Sequence, residues 1–341
     1  MTVITIAIDC MGGDFGPPVM VPAACEALTR HPNLSILLVG IPELIEAELE
    51  NLGARYSQQF TDRITIEAAS QTILMSEKPS QVLRKKKDSS MAIALKAVAE
   101  DRAQACISAG NTGALMAFSR LILKMIPGVA RPAITTSIPT DKGHTRLIDL
   151  GANVDCSAEN LLQFALMGSA MVSAIENNPK PKVGLLNIGS ESIKGNEQTR
   201  ATAELLEQTN QLNYIGFVEA DALYRGVSDV IVCDGFVGNV LLKGSEGTAR
   251  MLSNRLQEEL NRNLLTRLLS FIVMPVLESF KKRVNPDQYN GASFIGLQGI
   301  VIKSHGGANH LATLAAIEEA IREIEHNVPA IIHEQFKQLA L

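Results

Sequence analysis

Residues 3–17 read VITIAIDCMGGDFGP, a run of β-branched and apolar residues that closes on an aspartate and a Gly-Gly pair, with a helix-length amphipathic stretch just beyond. A short apolar run of this kind predicts a buried strand from Val3 to Asp9, and the stretch after it predicts a helix from Val19 to Arg30. The same succession recurs down the chain. Strands are expected at Leu34–Val39, Ala105–Ser108, Ala133–Ile138, Leu147–Leu150, Val183–Ile188, Tyr214–Val218 and Val230–Cys233. Helices are expected at Pro42–Asn51, Ser90–Asp101, Gly113–Lys124, Ala158–Glu176, Glu197–Gln208, Asn239–Leu260 and Ala308–Asn327. Strands alternating with helices predict an α/β fold, a three-layer sandwich around a mostly parallel sheet. No repeat, low-complexity segment or linker divides it, so residues 1–341 are expected to form a single α/β domain, with 250–284 protruding as a helical hairpin.

The composition suits that fold. Of 341 residues, 46% are hydrophobic and 20% charged, enough for a substantial core. A net charge of -5 argues against a dedicated nucleic-acid binder. The five cysteines are odd in number, scattered, and set in apolar runs, which reads as reduced packing residues. Without CxxC or clustered Cys/His spacing, neither a metal site nor a cofactor is expected. The start MTVITIAIDCMGGD lacks the basic region and long apolar core of a secretory signal, so a cytoplasmic location is expected.

Six Gly-rich segments carry most of the functional information: 8–17, 108–115, 148–155, 186–196, 233–240 and 303–310. Nearly all fall where an expected strand ends, and in open α/β sheets the carboxyl ends of strands line the ligand crevice. Small residues there let backbone N–H groups approach an anion, aided by the positive end of a following helix. Convergence of the six on one anion site is therefore expected. The chain has no GxGxxG after its first strand, no GxxxxGK[ST] and no GxSxG elbow. Dinucleotide, Walker-type nucleotide and serine-hydrolase chemistry thus lack their usual signatures, and the nucleophile is expected to come from the substrate.

Seven motifs in fixed order, IDxMGGDxGP, SAGNTGAL, DLGANVD, LNIGxExxKGN, CDGFxGNV, NPDxYNGA and VIKSHGxAN, run from Ile6 to Val328. Together they resemble the PlsX-type phosphate acyltransferases of bacterial phospholipid synthesis. Cys10 and Val237 depart from the expected pattern and touch no reactive group. The resemblance implies a fold similar to isocitrate and isopropylmalate dehydrogenases and phosphotransacetylases. It also implies a homodimer, and a reaction in which inorganic phosphate attacks the thioester of acyl-acyl carrier protein. A phosphotransacetylase-like enzyme using acyl-CoA is the alternative. With phosphate as nucleophile and a thiol of pKa about 8.5 leaving, the protein has to neutralise phosphate, stabilise an oxyanion and orient the two.

Lys194 is the expected charge on phosphate and Asn239 the amide donor to phosphate or oxyanion, with His305 as a candidate to orient or protonate. Gly12, Gly13, Asp14, Ser108, Gly110, Asn111, Thr112, Gly113, Asn153, Asp234 and Gly235 are the expected binding-loop residues, with Asp9, Asp14, Asp155 and Asp234 holding the loops together. The basic run Lys78, Arg84, Lys85, Lys86 and Lys87 is positioned to steer an acidic carrier protein. Residues 264–283 form a wide apolar face that includes Leu268 and Ile272, flanked by Arg262, Arg267, Lys281, Lys282 and Arg283. Its longest charge-free span has ten residues, too short to cross a bilayer. Reversible membrane docking, with contact to a downstream membrane acyltransferase, and packing in a dimer both remain open for it.

Overall fold

The computed structural model describes residues 3–53, 60, 62–264, 266, 267, 270, 273–276 and 290–339. Its strands are β1 Ile4–Asp9, β2 Leu34–Gly40, β3 Ile64–Ala68, β4 Ala105–Ser108, β5 Ala133–Thr140, β6 Gly143–Ile148, β7 Lys182–Leu186, β8 Asn213–Val218, β9 Val230–Val232, β10 Ala292–Ile295 and β11 Ile300–Lys303. Its helices are α1 Pro17–Arg30, α2 Pro42–Asn51, α3 Pro79–Lys85, α4 Ser90–Ala99, α5 Thr112–Ile122, α6 Ala158–Glu176, α7 Glu197–Glu207, α8 Ala220–Leu223, α9 Gly235–Leu260, α10 His310–Glu325 and α11 Val328–Leu339. Local chemistry sets many of the starts. Proline occupies the first turn of α1, α2 and α3, where its missing N–H costs nothing. Side chains of Ser89, Asn111, Ser157, Asn196, Asp234 and Asn309 cap α4, α5, α6, α7, α9 and α10.

Among the described residues the strands form one sheet in the order β3-β2-β1-β4-β11-β10-β5-β6-β9-β7-β8. The run β3-β2-β1-β4-β11 is parallel throughout, and so is β6-β9-β7-β8. Between them the pairings β11–β10, β10–β5 and β5–β6 are antiparallel. Three reversals leave the two parallel halves pointing in opposite directions, so their carboxyl ends lie on opposite edges of the sheet.

Period-two alternation splits the strand side chains between two faces. Ile6, Ile8, Ile107 and Ile302 pack on α1 and α10, while Val183, Val230 and Val232 pack on α6 and α11. On the other face Ala7, Cys106, Val301, Ile134, Ile138 and Leu147 meet α4 and α5, with Leu241 and Leu242 of α9 against them. Helices thus cover both sides, the three-layer arrangement expected.

At the seam between the halves, on the face away from α9, the buried Arg146 guanidinium of β6 donates to Glu319 of α10. Glu323, one turn on and also buried, has its pKa pushed up to about 8 by burial and by Glu319. No helix among the described residues is long and apolar enough to cross a membrane. Of the expected apolar hairpin, Leu268, Ile272, Lys281 and Lys282 lie outside the described residues, whereas Arg262 and Arg267 are exposed.

Candidate active site

The loops after β1, β4 and β11 meet at one edge. The Asp14 amide donates to Gly306 O at 2.8 Å and the Ser304 amide to Ser108 O at 3.0 Å, tying the three together. The glycines there are needed for close approach: a Cβ on Gly12 would stand 2.7 Å from the Gly110 nitrogen, and one on Gly13 2.9 Å from Gly306 O, at a φ of +85°. Beneath them Asp9, Ser108 and Lys303 form a lateral row, since Asp9 pairs with Ser108 and Ser108 with Lys303. Alternation puts all three on the face beneath α9. The Asp9 carboxylate accepts from Ser90 Oγ and Ser108 Oγ, each at 2.6 Å, and from the Met11 amide at 3.3 Å. Burial nevertheless dominates and raises its pKa. Lys303 is 8% exposed; its Nζ donates to Ala109 O at 3.1 Å and to Ser304 O, and desolvation lowers its pKa to about 8.

A second group of loops follows β6 and β9. Asp149 organises it, its carboxylate accepting from the amides of Ile134, Leu150, Ala152 and Asn153 and from Asn153 Nδ2. Asn153 in turn donates to Pro132 O and accepts from the Gly235 amide, while Asp234 caps α9 through the Val237 amide. A Cβ on Gly238 would lie 1.9 Å from Asp149 O, so only glycine lets the start of α9 sit there. From this group α9 crosses toward the first one, carrying Asn239 and then Lys243.

Between α9 and the sheet lies a cleft of about 900 Å³. Ile134, Ile138, Pro139 and Leu150 form its floor and Val240, Leu241, Leu242 and Leu252 its roof. Its polar wall holds Asp14, Thr112, Asn290, Lys303, Ser304 and His305, with Asn239 and Lys243 contributed from α9. Asn290 steadies that wall, donating to Ser304 Oγ at 2.8 Å and accepting from the His305 amide at 3.0 Å. The Gly307 amide donates to His305 Nδ1, so in the neutral ring Nε2 carries the proton. Partial desolvation, then Lys243, keep the His305 pKa low and the ring neutral.

The expected site residues divide accordingly. Asp14, Thr112, Asn239 and His305 line the cleft. Ser108 Oγ donates to Asp9 and accepts from the Gly110 amide, and Asn111 caps α5 while its Nδ2 donates to Met75 O and Glu77 O. A Cβ on Gly113 would meet the Pro79 ring at 2.8 Å. Asn153, Asp234 and Gly235 serve the second group as positioning residues. Lys194 is exposed on the loop after β7 and is not among the cleft's lining residues. Six loops on one site is therefore not the arrangement found: three meet, two form a second group bridged by α9, and 186–196 stands outside the cleft wall. The missed residues are Lys303, Lys243, Asn290 and the apolar floor. For Lys303 a signal existed, because a lysine two residues after Val301 shares its face.

The fatty acid synthesis protein family model matches residues 4–331. A phosphate acyltransferase from Legionella pneumophila (strain Paris) is 54% identical over 332 residues, 97% of this chain and 96% of that protein. One from Alkalilimnicola ehrlichii is 50% identical over 336 residues, 98% of this chain and 97% of that protein. Among solved structures, a phosphotransacetylase from Streptococcus pyogenes superposes with a TM-score of 0.60 at 15% identity, covering 94% of each chain. That likeness establishes the shared fold. Motif order, family match and full-length identity agree, and the chain belongs to the fatty acid synthesis protein family of PlsX-type phosphate acyltransferases.

Proposed function

We propose that the protein transfers a fatty acyl group from the thioester of acyl carrier protein to inorganic phosphate, giving acyl-phosphate and the free phosphopantetheine thiol. The observation that carries this reading is the cleft itself: a long apolar trough under α9 ends at backbone-rich loops holding a cation, an amide and a neutral imidazole. The trough suits an acyl chain, and its polar end suits a phosphate beside a thioester carbonyl.

No thiol of the protein is set up to attack. Burial drives the Cys10, Cys106 and Cys233 thiols well above their ordinary pKa, and raises Cys25 and Cys156 to about 11. Ser108 Oγ is committed to Asp9 and Ser304 Oγ to Asn290. A nucleophile brought by the substrate fits that inventory. Asn239 is then the donor to the oxyanion as the phosphate oxygen bonds to the carbonyl carbon and the C–S bond breaks. His305 Nε2–H is proposed to hand its proton to the departing sulfur and to regain one from the phosphate group. Lys194, exposed on the loop after β7 and outside the cleft wall, is proposed to act as a second cation that adds its charge from beyond that wall.

Arg84 and Lys85 are exposed on α3, which adjoins the Met75–Glu77 loop at the cleft mouth. They are proposed as the contact for the acidic carrier protein. Homodimerisation, a cytoplasmic setting and peripheral membrane contact through the segment after α9 belong to the same proposal. The test is thiol release from acyl-acyl carrier protein and from acyl-CoA, each with and without phosphate. Phosphate-dependent release favouring the carrier thioester supports the reading. Preference for acyl-CoA would support the phosphotransacetylase-like alternative, and phosphate-independent release would mean hydrolysis.

A further inference from the structure

Lys303 is the most deeply buried cation of the cleft wall, and neither the motif resemblance nor the relatives' names assign it a role. It closes β11 on the face beneath α9, in register with Ser108 and, one strand further, Asp9. A lysine is costly to bury unless it is paired. Asp9 does not fill that part simply, since its carboxylate is already taken by Ser90, Ser108 and the Met11 amide. The ammonium has three N–H donors. Ala109 O and Ser304 O take two, and the third is left for the cleft that Lys303 lines. Thr112, which lines the same cleft, opens α5, and the N–H groups of that first turn have no acceptor within the helix. A fixed ammonium, first-turn amides and a glycine loop together match a tetrahedral dianion better than any neutral ligand.

We infer that the Lys303 ammonium binds the phosphate nucleophile, gripping it against the first turn of α5 and holding one oxygen toward the thioester carbonyl. The inference rests on the acyl-transfer reading above and adds to it the residue that anchors phosphate. The charged and titratable groups facing Lys303 are Asp9 from β1, Asp14 from the following loop, Lys243 from α9 and His305 from its own loop. Their fields oppose one another, and desolvation, the largest influence, brings the ammonium's pKa to about 8. Its loss of a proton therefore falls within an accessible pH range, where phosphate is already dianionic.

The test measures phosphate and carrier-thioester kinetics separately in Lys303→Gln and Lys303→Arg, together with calorimetric binding of inorganic phosphate alone. Lys303→Gln is expected to raise KM for phosphate roughly 30-fold, the weight of one charge-assisted hydrogen bond, with KM for the carrier thioester within about 3-fold of wild type. In the wild type, kcat/KM for phosphate is expected to fall above about pH 8, and Lys303→Arg is expected to abolish that fall by keeping its charge. An unchanged phosphate KM in Lys303→Gln, or equal loss for both substrates, overturns the inference. Should Lys303→Gln not fold, an alkaline fall shared by wild type and Lys303→Arg overturns it instead. Phosphate binding that depends on Lys303 in a protein that transfers no acyl group would uphold the site and sink the reaction. Turnover with Lys303-independent phosphate binding would do the reverse.

Discussion

Asp9 and Lys303 end strands that are next but one in the sheet and occupy one register row, with Ser108 between them. That row converts strand parity into chemistry: a shift of one residue in β11 would send Lys303 into the core against α1 and α10. The candidate site is thus an outgrowth of the sheet's alternation, with loops and α9 completing it.

Asn239 is exposed at the start of α9, beside Gly151, so truncating it leaves the core untouched. Asn239→Ala is expected to lower kcat about 100-fold with little change in melting temperature, as for loss of one oxyanion donor. Lys194→Ala, measured in parallel, is expected to cut turnover while the fold stays intact. Near-normal phosphate-dependent activity would remove Lys194 from the site.

Ile138 is buried on the cleft floor beneath α9. A tryptophan there fills the trough. Each methylene displaced costs about 0.8 kcal/mol, so excluding two lowers kcat/KM for the longest acyl chains roughly 15-fold. Short acyl chains should be nearly unaffected, and uniform loss across chain lengths would place the chain elsewhere.

Gly238 touches Asp149 O so closely that a methyl group cannot be accommodated. Gly238→Ala is expected to dislodge the start of α9 and destabilise the protein by about 3 kcal/mol or more, read by denaturant unfolding. Asp149→Ala removes the carboxylate that gathers five N–H groups, leaving the Leu150 amide only Ile134 O and Asn153 Nδ2 only Pro132 O, and should cost at least about 3 kcal/mol.

Glu323 titrates near 8 when folded, against 4.5 for an ordinary glutamate. A carboxyl whose folded pKa is raised binds more protons folded than unfolded between those values. Its contribution is therefore greatest at low pH and is lost as pH rises from about 4.5 through 8. Glu323→Gln should flatten that decline and gain stability relative to wild type at pH 8.5, on the order of 1 kcal/mol. Arg146→Met, by contrast, leaves Glu319 buried without its main partner and should cost about 3–5 kcal/mol.

Most strands and helices were legible because buried parallel strands read as apolar runs bounded by glycine. α9 begins at Gly235, four residues before the start expected, because Asp234 caps it and the glycines of GFVGN are tolerated where packing is tightest. Helices α3, α8 and α11 were not expected, and among the strands several features also escaped. β3 is half exposed and reads as neither pattern. β10 and β11 have four residues each, too few to show a period. The β5–β6 hairpin turns on Asp141-Lys142, with Gly143 supplying a positive φ just beyond. Missing β10 and the hairpin hid the reversal of the sheet, so loops at opposite edges read as one set. Lys303, in turn, passed as the polar end of an apolar run.

The central claim is that phosphate itself attacks the carrier thioester. Phosphate labelled with ¹⁸O at all four positions, mixed with the protein and acyl-acyl carrier protein, tests it by mass spectrometry of the product. The account predicts acyl-phosphate carrying all four labels, formed in step with free thiol. Thiol release accompanied by unlabelled fatty acid or an acylated protein side chain, with no labelled acyl-phosphate, would contradict it.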